Sequence, residues 1–131
     1  MDPVTKRKTV TALGLAKATA YLTEEQVHNL LFDFIDKSGY TDGSNIDKFT
    51  EIFQLTTNAK GREELEARVL LQKAIDARVV YEKQGGYNWN RAEGLITIGE
   101  TLSEAVDFIM NPKKDALVEE LEEEIKAKLG E

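Results

Sequence analysis

The sequence predicts an α+β fold, mostly helical: a helical N-terminal part, then a helix, a β-hairpin of two to three antiparallel strands, and two C-terminal helices. Three observations predict it. Apolar residues recur at helical spacing over most of the chain. Between residues 77 and 99 the period shortens to two, with β-branched and aromatic residues on either side of Gly85-Gly86. Two Thr-x-x-Glu/Gln boxes and an Asn-Pro pair mark helix starts. With 131 residues the chain fits one domain, or one domain with an appendage, and can bury a core without disulfides or metal.

The elements follow in order. Thr5 to Leu22 carries Val10, Leu13, Leu15, Ala18 and Leu22 at loosely helical spacing, with Gly14 as a weak point. Thr23-Glu24-Glu25-Gln26 is a capping box, because the Thr hydroxyl and the Gln amide satisfy free backbone donors reciprocally. It opens a helix bearing Val27, Leu30, Leu31, Phe34 and Ile35, which runs into the turn-rich SGYTDGSN. Ser44 or Asn45 caps a short helix with Ile46, Phe49, Ile52, Phe53 and Leu55. After TTNAKG comes the strongest central helix, Arg62 to about Ala77, with Leu65, Val69, Leu70, Leu71 and Ile75. ARVVYEK and YNWNR are the hairpin strands, and GLITIG supplies a third. Thr101-Leu102-Ser103-Glu104 is the second capping box, over a helix at 101–109. Asn111-Pro112 starts the last helix, 112–129, whose Leu117, Leu121, Ile125 and Leu129 stand four apart before Gly130. The expected core is Leu31, Phe34, Phe49, Phe53, Leu70, Val79, Val80, Ile96, Ile98, Val106, Phe108, Leu117 and Leu121. The parts divide as 1–60, helical, and 61–131, α/β, or they form one compact domain overall.

Composition removes several functions. No cysteine is present, so thiol catalysis, disulfide scaffolds and cysteine-bound metal are out. His28 is the single histidine, which leaves a triad or a histidine metal site resting on one residue. The N-terminus lacks the apolar stretch of a signal peptide, and no run approaches the ~20 apolar residues of a membrane span, so a cytoplasmic location is expected. No phosphate-binding glycine loop occurs, and no cofactor is implied. The stretch from Asp36 to Asp47 has the length of a calcium loop. It has Tyr40 and Thr41 at its fifth and sixth positions and lacks the closing glutamate, so it reads as an interhelix turn. No spacing supports catalysis; the chain is not expected to be an enzyme, and no catalytic or metal-binding residue is assigned.

Charge is uneven. The net charge is −7, with +3 on residues 1–20 and −7 on residues 92–131. The acidic run Glu119 to Glu124 reads as a solvated helix face, with Lys126 and Lys128 complementing the helix end. The hairpin interleaves aromatic and basic residues. Alternation puts Tyr87, Trp89 and Arg91 on one face of their strand, where aromatics can stack on bases or pack inward on helices.

From about Leu71 to Leu129 the pieces AIDARVVYEKQGG, YNWN, ITIG, ETLSEAVDFIM and NPKKDALVEELEEEIKAKLG follow one another in an order that resembles the small C-terminal domain of the RecA recombinases. The ATPase core of that family has no counterpart here. The resemblance implies contact with double-stranded DNA through lysines near the hairpin. Lys83 matches one such position. The other, three residues after the Gly of Ile98-Gly99, is Leu102 here, beside Glu100. The resulting expectation is a small non-catalytic DNA-binding or recombination/replication-accessory protein. Its contacts would be Lys83, Tyr87, Trp89, Arg91 and Arg78, with Lys6, Arg7 and Lys8 as an N-terminal arm. Binding through so few phosphates would be weak and strongly salt-dependent. The alternative is an acidic protein–protein interaction module that docks on a basic protein surface, as in a viral or mobile-element accessory protein or a particle subunit. Clustering of the bases at 62–91 on one face with Trp89 would favour DNA, and their pairing with carboxylates would favour the protein partner. The helix at 23–36 also has apolar surface enough for oligomerisation.

Overall fold

Asp2 starts the first helix, accepting a hydrogen bond from the Thr5 amide at 2.7 Å, with Pro3 in the first turn. That hydrogen bond holds the Asp2 carboxyl below its usual value. The structure is a computed structural model and describes residues 2–17, 19–36, 44–83, 86–91 and 93–129. Within them it is α+β and mostly helical, as the sequence predicts. The chain divides into two compact units, Met1–Val69 and Leu70–Glu131.

The first unit is helical. Helix α1 spans Pro3–Ala12, α2 Glu24–Asp36, α3 Ser44–Leu55, and α4, Ala59–Asp76, begins in this unit. The single helix expected over Thr5–Leu22 is broken: α1 stops at Ala12, Gly14 takes a φ of 69°, and a separate 3-10 turn covers Thr19–Tyr21. Arg7 closes the connection by donating to the carbonyls of Thr19 and Leu22. The buried hydroxyls of Thr11 and Thr19 meet at 2.8 Å. The capping box on α2 forms in both directions: Gln26 N–H donates to Thr23 Oγ1 at 3.1 Å, and Thr23 N–H donates to Gln26 Oε1 at 2.9 Å. Its Val27 and Leu31 bury with Val10, and Leu13, Leu15, Leu22, Leu30 and Phe49 pack around them. A second cluster joins Ile52 to Leu65 and Val69 of α4.

Two details depart from expectation. Asn45 lies inside α3, and its side-chain amide donates to the Phe34 carbonyl near the end of α2. Phe53, expected in the core, is 44% exposed and stacks on Phe49. Neighbouring helix positions differ by about 100°, so Ile52 takes the inward place and Phe53 turns away. The calcium-like stretch falls largely on 37–43, outside the described residues. Gly61 in the first turn of α4 is fixed by packing: a Cβ there would overlap the backbone of Leu55.

The second unit holds the sheet. At the end of α4, Val79 N–H donates to the Ala74 carbonyl at 2.9 Å and Arg78 N–H to that of Ile75 at 3.0 Å. This pair of bonds caps the helix, with Arg78 in the left-handed region at φ 61°. Strands β1 (Val80–Lys83), β2 (Gly86–Arg91) and β3 (Gly94–Gly99) form an antiparallel sheet in the order β1-β2-β3. Val80 stands opposite Trp89, which stands opposite Ile96. The register shifts between Tyr87 and Asn88, where β3 carries one extra residue, Ile98.

Helix α5 (Leu102–Met110) packs on β3. Gly99 permits this, because a Cβ there would overlap the Ala105 backbone nitrogen. The second capping box is shifted by one residue. Thr101 Oγ1 accepts from Glu104 N–H at 3.2 Å, but the Glu104 carboxylate accepts from Glu100 N–H at 2.7 Å. The last helix starts later than the sequence suggests: a 3-10 turn, Pro112–Lys114, capped by Asn111, precedes α6, Asp115–Leu129. The buried residues of this unit include Leu71, Val79, Val80, Trp89, Ile98, Val106, Leu121 and Ile125. Of the remaining expected core residues, Leu70, Ile96, Phe108 and Leu117 are half-buried, as are Phe34 and Phe49 in the first unit.

Candidate functional site

Strand alternation gives the sheet an inner and an outer face. Val80, Tyr87, Trp89, Arg91, Ile96 and Ile98 point inward, and Tyr81, Lys83, Asn88, Asn90, Leu95 and Thr97 point outward.

The inner face binds α6 with charge as well as apolar contact. Trp89 is 0% exposed, and its indole N–H donates to Glu124 at 2.9 Å. Arg91 lies over the Trp89 ring, 5.2 Å from its centre, and donates to Glu120 at 2.7 Å and Glu93 at 3.1 Å. Its side chain is only 15% exposed. Tyr87 is buried as well. Burial raises its hydroxyl above its ordinary value of 10.0, and Glu82, its cross-strand neighbour, adds to the rise by its charge and by hydrogen bonding. So Trp89 and Arg91 lie against α6, Tyr87 is buried beside Glu82, and none of the three strand residues expected to touch nucleic acid offers a ring or a free cation to a phosphodiester backbone. The Glu119–Glu124 run is likewise divided. Glu120 and Glu124 serve the latch, while Glu119, Glu122 and Glu123 stay exposed on the far side of α6, with Asp115 a turn earlier.

The other expected contacts are scattered. Arg7 is held by two backbone carbonyls, Lys8 pairs with Glu66, and Lys6 lies 3.4 Å from Nδ1 of His28. Arg68, a base of the 62–91 segment, pairs with Glu51 at 2.7 Å and Glu64 at 3.6 Å. Arg62 donates to the Thr56 carbonyl. Lys83 and Arg78 remain at the surface, Lys83 on the outer face of the sheet and Arg78 in the turn before it.

The sequence signal missed two things. Glu120 and Glu124 stand four apart, the spacing that places both over one side of a helix, and they face Arg91 and Trp89 two residues apart on a strand. That match of periods was available in the sequence. The outer face was also missed. None of its six positions carries a carboxylate, in a chain with 24 acidic residues, and two of them, Tyr81 and Leu95, are large apolar groups 49% and 65% exposed.

Among the described residues, no three His, Asp or Glu side chains gather as a metal ion would require, and no helix is long and apolar enough to cross a membrane. Comparison of the chain with family models, with curated proteins and with solved structures gave no match.

Proposed function

We propose that the chain is a small, non-catalytic protein-interaction module of the cytoplasm, whose acidic α6 face docks on a basic surface. One observation carries this reading: of the cations expected to meet DNA, Arg91, Lys8 and Arg7 are already committed, which leaves Lys83 and Arg78 at the surface. Arg91 and Arg68 are paired with two carboxylates each, Lys8 with one, and Arg7 with backbone carbonyls, so DNA would have to displace those partners before gaining a phosphate contact. The outward carboxylates Asp115, Glu119, Glu122 and Glu123 meet no such cost toward a cationic partner. A rim charge of this kind governs encounter rate and selectivity more than final affinity. The resemblance to the RecA C-terminal domain is compatible with this role as one of fold and not of ligand, since a shared fold does not carry its function with it.

The test is a titration of fluorescently labelled lysine-rich peptide and labelled duplex DNA into the protein at low salt, read by anisotropy. The peptide should bind, and binding should fade as the Debye length contracts from about 30 Å at 0.01 M salt to about 8 Å at 0.15 M. The duplex should give no saturable change. Duplex binding that disappears in Lys83→Ala would return the function to DNA.

A further inference from the structure

The outer face of the sheet is an uncovered surface in a unit whose other layer ends in an acidic helix. Resting on the interaction-module reading, we propose that the basic surface which the α6 face meets is this outer sheet face on a second copy of the chain.

The two surfaces lie on opposite sides of one unit. The helix layer, with α6 latched by Glu120 and Glu124, covers the inner face. Asp115, Glu119, Glu122 and Glu123 project from the far side of that layer, and the outer face looks the other way. A contact between them is therefore heterologous: each copy uses one surface to receive and the other to insert, and copies add in rows or close into rings.

The fit is in shape and charge. Tyr81 lies opposite Asn88, and Leu95 lies opposite Asn90, so the two apolar knobs stand on the outer strands, two strands and two residues apart. That places them roughly 12 Å apart, with the small polar side chains of β2 between them. A docked helix rests across such knobs and sets its smaller side chains, not its full width of about 10 Å, between them. The exposed alanines at 116 and 127 flank this outward stripe of α6 and leave room for a ring or a leucine beside the glutamates, and Lys126, one turn after Glu122, ends the acidic run on that face. Lys83 then lies along the β1 side of the channel, with Arg78 in the turn that leads into it, both within reach of carboxylates on a docked helix. The absence of any carboxylate from the six outward positions removes direct like-charge repulsion at the contact itself. Exposed ion pairs contribute at most about 1 kcal/mol each, so the contact is weak and concentration-dependent.

Charge exchange tests it on the full chain. One variant, Arg78→Asp/Lys83→Glu, makes the sheet face acidic, with Asp chosen because it tolerates the left-handed backbone at 78. The other, Glu119→Lys/Glu122→Lys/Glu123→Lys, makes the helix face basic. All five side chains are exposed, and unchanged Trp89 emission and circular dichroism confirm folding. Lys83→Glu alone is the fallback for the first variant. Sedimentation velocity at low salt should show the wild type's mean sedimentation coefficient rising with concentration, and falling back to the monomer value at high salt. Each variant alone should need at least tenfold more protein to associate. An equimolar mixture of the two should regain association, because their altered faces are again complementary. A wild type that stays monomeric up to about 1 mM, or a mixture that fails to recover, overturns the proposal. So does a labelled single-stranded oligonucleotide that binds the wild type and not Arg78→Asp/Lys83→Glu. If self-docking fails while the lysine-rich peptide still binds through α6, the interaction-module reading stands and only the identity of its partner is lost.

Discussion

Replacing Glu124 separates the latch from the general packing of α6. Glu124→Leu keeps a side chain of similar length and removes the acceptor, which leaves the fully buried indole N–H of Trp89 without its partner. An unsatisfied buried donor costs about 1–3 kcal/mol, and this acceptor is charged, so the upper half of that range applies. Glu124→Gln keeps an oxygen at the same reach and should cost under about 1 kcal/mol, the difference between a charged and a neutral acceptor. Trp89 is the single tryptophan and lies in the second unit, so its emission during urea unfolding reports from the sheet that α6 covers. The expected result is a lower urea midpoint for Leu with an unchanged slope, and a midpoint for Gln near that of the wild type. Equal midpoints for Leu and wild type, or equal losses for Leu and Gln, would show that apolar burial and not the hydrogen bond fastens α6 to the sheet.

Other consequences can be read from the same unit. Gly99→Ala drives a methyl into the Ala105 backbone and should cost about 1–3 kcal/mol, seen as an earlier Trp89 transition in urea. Arg78→Gly should raise stability by roughly 1 kcal/mol in the same assay, because glycine takes a φ of 61° without the Cβ clash. Tyr87 titrates above its ordinary value of 10.0 because it is buried, so it holds its proton more tightly folded than unfolded. Its contribution is thus fully present below pH 10 and is lost as pH rises through the higher folded value, and Tyr87→Phe should flatten the alkaline decline in stability measured by urea midpoints at pH 9 to 11.

Much of the fold is legible because local chemistry and global packing agree. Thr23 with Gln26 caps α2 where the sequence places it, Asn111 caps at its predicted position although a 3-10 turn follows before α6, and the aromatic alternation of β2 gives its buried face directly. The breaks are legible only in part. Gly14 signals weakness, yet the stop at Ala12 depends on Arg7 reaching Thr19 and Leu22, a contact between segments that no local pattern contains. Phe53 misleads because hydrophobicity alone does not decide between Ile52 and its neighbour; the burial of Ile52 with Leu65 and Val69 does. The site is less legible for a related reason. Trp89 and Arg91 look like a nucleic-acid stack until Glu120 and Glu124 come over them, and residue type alone cannot tell a ring that stacks on a base from one that stacks under an arginine.

The most direct measurement is an amide chemical-shift map of the labelled protein during titration with a lysine-rich peptide and, separately, with duplex DNA at low salt. The peptide should move the resonances of Asp115, Glu119, Glu122 and Glu123 and leave the strand residues Tyr87 and Trp89 in place, while DNA should move nothing saturably. Saturable shifts at Lys83, Arg78 and Arg91 on adding DNA, with α6 silent to the peptide, would contradict the interaction-module reading.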